Sequence, residues 1–202
     1  MITFSGIDGA GKSTLTAKAA EYFRDTERNA VKLEVYATST FLSMGRLIEG
    51  VSPSAKKKLG STTSSSGSGI FFKVLRVFCF FIDIVIFRIK SIFLRKRKKV
   101  LLCDRYLYDT LVHLKYLKAL NDGLYRFLLK LIPRPEAPFL LYLDSSSAKS
   151  REGQHDDEDY YSEKIKLYET LAGEAGLIRI DSSRESSKVW ENVRRMIDTR
   201  IT

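Results

Sequence analysis

Residues 6–14 read Gly-Ile-Asp-Gly-Ala-Gly-Lys-Ser-Thr, directly after the short apolar run Met1 to Ser5. That run suits a buried strand. After the glycines, Leu15, Ala19, Tyr22 and Phe23 recur at helical spacing up to about Arg28. The order strand, glycine loop, helix is the context in which G-x-x-x-x-G-K-[ST] forms a phosphate cradle. Glycine tolerates the backbone angles that turn successive N–H groups inward onto phosphate oxygens, and the helix N-terminus adds partial positive charge. Gly6, Gly9, Ala10, Gly11, Lys12, Ser13 and Thr14 are therefore the expected nucleotide-binding residues. Lys12 is placed to reach the β- and γ-phosphates and Ser13 to ligate Mg²⁺, so ATP and Mg²⁺ are the expected cofactors.

The rest of the chain alternates strand-like and helix-like segments. Val31 to Tyr36, Val100 to Cys103, Phe139 to Leu143 and Leu177 to Ile180 read as further strands, the last three ending at Asp104, Asp144 and Asp181. Asp144 and Asp181 read as N-caps of the helices that follow. Helical spacing covers about Leu107 to Leu131, about Asp159 to Glu174 and about Ser186 to Arg200. The pattern predicts an α/β fold with about five mostly parallel strands flanked by helices on both faces. At 202 residues the chain is expected to be one domain, 1–202. Residues 37–50 read as mixed loop and short helix. Residues 52–69, with the run SPSAKKKLGSTTSSSGSG, read as a mobile low-complexity surface loop.

Composition narrows the partners. The formal net charge is +10, which favours an anionic partner. No aromatic platform interleaves the basic residues, so nucleic acid is not expected. Cys79 and Cys103 both lie in apolar runs and read as buried free thiols, which points to a reducing, cytoplasmic setting. Residues 2–5 run straight into the glycine loop, so the N-terminus is expected to belong to the fold rather than to a secretory leader.

The segment VLLCDRY (100–106) places Asp104 at the carboxyl end of a buried strand, the edge that faces the nucleotide when a glycine loop follows the first strand. A carboxylate there can organise Mg²⁺ and its waters. Arg105 can grip a phosphate with two parallel N–H bonds. An Asp that merely caps the next helix is the plainer alternative.

FSGIDGAGKST, CDRY and LYLD, then Arg151 and a Tyr-rich helix ending YETLA, resemble the thymidylate kinases in order and spacing over nearly the whole chain. The resemblance implies a P-loop kinase fold and transfer of the ATP γ-phosphoryl group to the phosphate of dTMP. It implies that Asp8 orients the acceptor end and that Lys12 stabilises the transferring phosphoryl. Asp104 and Arg105 would organise metal and acceptor phosphate, with Ser13 and Asp104 as metal ligands. Asp83, Asp104, Arg105 and Tyr106 would line the substrate side. The polar stretch 145–158 corresponds to the family's lid, where Arg151 would close over the transferred phosphate. His155, among carboxylates, reads as a solvated surface residue. Small nucleotides are the implied partners.

Two positions depart from the family pattern. No arginine follows the second strand until Arg46, where the family carries an Arg-Glu-Pro stretch. Asp83 is present, yet Ile84 stands where its partner arginine belongs. Arg46, Arg76 and Arg88 are the substitutes within reach. The segment Ile70 to Leu94 is also more apolar than such a helix requires. Its charged residues share one arc and Phe, Leu, Ile and Val fill the opposite face. That face reads as core, as a homodimer interface, or as a peripheral membrane contact assisted by the run RKRKK at 95–99. Two further functional readings follow: a kinase on the same scaffold with another acceptor, such as a membrane-borne phosphate or a sugar, and a nucleotide-binding regulatory module without turnover.

Overall fold

The computed structural model describes residues 1–26, 30–33, 70–96, 99–144 and 158–200. Within them the order is β1 (Ile2–Gly6), α1 (Lys12–Asp25), β2 (Ala30–Leu33), α2 (Ile70–Lys96), β3 (Val100–Asp104), α3 (Leu107–Tyr116), α4 (Asp122–Leu131), β4 (Ala137–Tyr142), α5 (Glu158–Ala175), β5 (Ile178–Asp181) and α6 (Ser186–Arg200). The five strands form one sheet in the order β2-β3-β1-β4-β5, and every pairing is parallel. Parallel strands need crossover connections, which the helices supply, so both sheet faces are covered and the strands read as near-continuous apolar runs. Ile2, Phe4, Leu102, Cys103 and Phe139 are fully buried, and the Phe4 and Phe139 rings stack with centroids 5.5 Å apart.

Two groups of helices pack on the sheet. α1 packs on β1, β2 and β3 through Leu15, Ala19 and Phe23, beside α6, which packs through Val189, Val193 and Ile197. The second group is α2, α3, α4 and α5, with α3 at its centre. β1 and β3 are neighbours, yet their onward connections leave in opposite directions, β1 toward β2 and β3 toward β4. Such a switch point opens a crevice at the carboxyl ends of the two strands. The register Phe4 opposite Asp104 places the glycine loop and Asp104-Arg105 together at that crevice.

The helix expected over 107–131 is two helices. α3 ends at Tyr116, Lys118 takes φ 52°, and Asn121 starts α4 by accepting a hydrogen bond from the Leu124 N–H at 2.8 Å. A left-handed residue followed by a side-chain N-cap is a strong stop and restart, and the spacing of apolar residues ran through it. Asp181 is not a helix N-cap either. It accepts from the Ser183 N–H at 3.0 Å, a local Asx turn, and α6 begins only at Ser186. Asp144 is described, but the residues after it are not. The expected loop 52–69, most of the lid-like stretch 145–158, and Arg46 and Arg151 lie outside the described residues.

Gly6 ends β1 with φ 147°, and a Cβ built there would stand 2.6 Å from the carbonyl oxygen of Leu141 on β4. Backbone meets backbone at this point, and neither strand can retreat without breaking the β1–β4 ladder. Gly6→Ala is expected to lower stability by about 2–4 kcal/mol and to weaken nucleotide binding through the displaced loop. Chemical denaturation and ATP titration calorimetry check both, and wild-type values for the variant would refute the close approach.

Candidate active site

The loop leaves β1 at Gly6 and enters α1 at Gly11, whose φ of 86° is left-handed. Lys12 is 5% exposed. Its Nζ donates to the carbonyl oxygens of Gly6 at 2.9 Å and Ile7 at 2.6 Å and lies 3.7 Å from Asp8 Oδ1. The ammonium thus sits inside the curl of the loop, where phosphate oxygens would meet it. Ser13 and Thr14 are exposed on the first turn of α1.

Arg105 follows Asp104 and takes φ 63°, with its N–H bonded to the Phe4 carbonyl oxygen at 3.2 Å. This left-handed turn swings the chain from β3 across the end of β1. The Arg105 guanidinium donates to Asp8 Oδ1, joining the second motif to the first. Burial pushes the Asp8 carboxyl up, but Lys12, Arg105 and Lys164 outweigh it and hold the group below its ordinary value. Asp8 is therefore an anion wedged among cations, a position from which it can orient Lys12 and Arg105. Asp104 is not the N-cap of α3. Tyr106 holds that position, which removes the plainer reading of Asp104 as a cap.

Of the other expected substrate residues, Tyr106 is wholly buried. Its hydroxyl donates to the Pro133 carbonyl oxygen at 2.5 Å, and its ring packs edge-on against Phe87 and Tyr108. The ring is thus built into the core beneath the crevice. Asp83 is a buried residue of α2, and Ile84 beside it is 1% exposed and part of the core.

Three residues at this crevice were not singled out in the sequence. Asp109, buried on α3, accepts four hydrogen bonds. Its Oδ1 takes the Gly6 N–H at 3.1 Å and the Tyr168 hydroxyl at 2.7 Å. Its Oδ2 takes the Ser5 hydroxyl at 2.9 Å and the Tyr106 N–H at 2.7 Å. The available signal was the acidic residue three places after the N-cap, the capping-box position. Lys164 on α5 is largely buried; its ammonium donates to the Tyr160 hydroxyl and lies 4.4 Å from the centroid of that ring. His113 on α3 is pushed down to about 4 by burial and then by the charges of Lys164 and Arg76, with Asp8 opposing. The imidazole is thus held neutral by burial, with the charges of a lysine and an arginine from different helices adding to the effect. Nothing in the linear spacing of His113, Lys164 and Arg76 announces the group, since it exists only through helix packing.

The thiols behave as expected: Cys79 and Cys103 are buried and form no disulfide. Burial pushes Cys103 up to about 12, and burial together with Asp83 raises Cys79.

The donors at the crevice suit a hard cation. The Ser13 hydroxyl and the Asp104 carboxylate are oxygen ligands, and no group of three or more His, Cys, Asp or Glu side chains able to hold a metal occurs among the described residues. Mg²⁺ in nucleotide sites is held in this way, by one or two protein oxygens together with phosphates and waters.

A five-stranded parallel sheet with this strand order, a glycine loop after its central strand and an Asp-Arg pair at the end of the neighbouring strand define a nucleotide-binding protein of the P-loop kinase class. The family model described as thymidylate kinase matches residues 4–193, and the chain belongs to that family. Membership implies an ATP-dependent nucleoside-monophosphate kinase acting on small nucleotides. A search of curated proteins found no match.

The state of His113 has a consequence for stability. Its folded pKa lies below the ordinary 6.5, so in acid the unfolded chain takes up a proton that the folded chain refuses. Stability is expected to be flat above pH 6.5, to fall as pH drops from 6.5 to about 4, and to lose on the order of 2 kcal/mol in that window. Asp8 contributes in a different window: its stabilisation is present above its ordinary 3.8 and is lost as the pH falls below that value. Denaturant midpoints from pH 7 to pH 4 should therefore flatten in His113→Gln. An undiminished slope in that variant would assign the loss to other groups.

Proposed function

We propose that this chain transfers the γ-phosphoryl group of ATP to the phosphate of dTMP, giving ADP and dTDP. The observation that carries the reading is the contact of Asp8 with both Lys12 and Arg105, which joins a triphosphate loop to a phosphate-gripping arginine at one crevice. The bond from the β,γ-bridging oxygen to Pγ breaks as an acceptor phosphate oxygen bonds to Pγ. Negative charge on the equatorial oxygens is met by Lys12, which exchanges its loop carbonyls for phosphate. Arg105 neutralises the acceptor phosphate, and Asp8 holds both cations in line. Mg²⁺, held by Ser13 and Asp104, would supply charge neutralisation between the β- and γ-phosphates. Arg151 would complete the cationic enclosure from the lid-like segment.

Arg76 and Lys164 are the cations that stand in for the acceptor arginines the sequence lacks. Both bear on His113, and Lys164 also bears on Asp8. Lys164→Ala is expected to raise the KM for the acceptor by about 10- to 100-fold, the weight of one charge-assisted contact, with ATP affinity nearly unchanged. Steady-state kinetics against calorimetry separates the two, and a selective loss of ATP affinity would move Lys164 to the donor side. A reducing cytoplasm is the setting the two inert thiols suit.

A second reading keeps the donor half and changes the acceptor. It is favoured by Ile84, which fills the family's arginine position with a core side chain. A panel of nucleoside monophosphates, sugars and phosphorylated lipids, scored for ADP release with ATP and Mg²⁺, tests both. dTMP is expected to be used best, and Lys12→Ala to reduce turnover at least about 100-fold with the fold intact. Tight ATP binding with turnover of lipid or sugar alone would replace dTMP. Tight binding with no turnover of any acceptor would leave a regulatory module.

A further inference from the structure

Asp109 carries more hydrogen bonds than its place in α3 requires. It stands three residues after the N-cap Tyr106, where an acidic side chain ordinarily accepts the N-cap N–H. Here that bond, 2.7 Å to Oδ2, is one of four. The others come from different elements: the Ser5 hydroxyl and the Gly6 N–H on β1, and the Tyr168 hydroxyl on α5. The Asp109 side chain is 3% exposed, and Ser5 and Tyr168 are buried with it. Each oxygen takes one backbone N–H and one hydroxyl: Gly6 and Tyr168 at Oδ1, Tyr106 and Ser5 at Oδ2. A hydroxyl can turn and accept instead, but a backbone N–H can only donate. Two backbone donors aimed at two different oxygens therefore call for a carboxylate, which offers acceptors at both.

Those two backbone donors belong to the two phosphate-gripping motifs. Gly6 is held from both sides, its N–H by Asp109 and its carbonyl oxygen by the Lys12 ammonium at 2.9 Å. Arg105 is bracketed as well. Its own N–H bonds to the Phe4 carbonyl oxygen, and the following N–H, that of Tyr106, bonds to Asp109. The bracket holds Arg105 at φ 63°, a left-handed backbone that a non-glycine residue keeps only where its surroundings fix it. One carboxylate thus sets the backbone at both ends of the Lys12–Asp8–Arg105 bridge. We propose that Asp109 is a positioning residue for phosphoryl transfer: it fixes Lys12 and Arg105 relative to each other, and it does so only as a carboxylate. This role rests on the ATP-to-dTMP transfer proposed for the crevice.

Asp109→Asn keeps the size of the side chain and removes one acceptor. Whichever way its amide turns, the NH₂ group faces either the Gly6 N–H or the Tyr106 N–H. With ATP, Mg²⁺ and dTMP, kcat per ATP-binding molecule, counted by calorimetry, is expected to fall about 10- to 100-fold. The amide proton of Gly6 or of Tyr106 is expected to move upfield in the NMR spectrum. Tyr168→Phe leaves both backbone bonds in place, so it is expected to lower the denaturation midpoint while kcat stays near the wild-type value. A role in stability alone would lower the midpoint in both variants and leave kcat per ATP-binding molecule unchanged in both, and that result overturns the proposal. Should Asp109→Asn fail to fold, Asp109→Glu keeps both oxygens but moves them by one methylene, and the same fall in kcat is expected; wild-type kcat there overturns it too. Wild-type protein that turns over no acceptor refutes the transfer reading instead. The frame is then decided by the two amide protons, and their standing still in Asp109→Asn overturns it.

Discussion

The Asp109 carboxylate is the joint on which the crevice is assembled. Ser5 and Gly6 at the end of β1, Tyr106 at the start of α3 and Tyr168 on α5 all donate to it, and its side chain is removed from water. A buried carboxylate is costly unless its lone pairs are occupied, and here two donors reach each oxygen. The same bonds give the Gly6 N–H a partner at the point where the loop leaves the sheet. Loop, second motif and lid-side helix are therefore held to one point rather than to one another through solvent. Lys12 can curl back into the loop only because that frame is rigid.

Around this joint the charges are arranged to be unequal. Lys12, Arg105 and Lys164 act on the single carboxylate of Asp8, and burial, aided by Lys164 and Arg76, keeps His113 neutral. The surplus is positive, in a partly desolvated crevice where each charge is felt more strongly than in water. Helix α2 contributes Arg76 to that surplus from the same side that buries Phe80, Asp83, Ile84 and Phe87.

Much of the donor half was legible in the linear chain because its parts are contiguous. Strand, glycine loop and helix occupy residues 2–25, and the Asp-Arg pair ends a run of buried residues, so local spacing carried the information. The fold class followed from alternating apolar periods. The break between α3 and α4 did not, since apolar spacing passes through Lys118 and Asn121 and only backbone geometry separates the helices. Tyr106 sits inside a recognised motif, yet its ring belongs to the core, because motif position says nothing about which way a side chain turns.

The sequence by itself determined that a glycine-rich loop follows the first strand and that a carboxylate and an arginine end another. Those features are set by residues adjacent in the chain and by the backbone freedom of glycine. Only the tertiary structure decided that β1 and β3 are neighbours, so that Arg105 reaches Asp8 across 97 residues of sequence. It alone decided that the charges of Arg76 and Lys164 are felt at His113, and that α2 buries Phe80, Ile84 and Phe87 while Phe78 and Phe93 stay exposed. The reason is physical: helix spacing shows that two faces exist, but which face is buried depends on what the neighbouring helices offer.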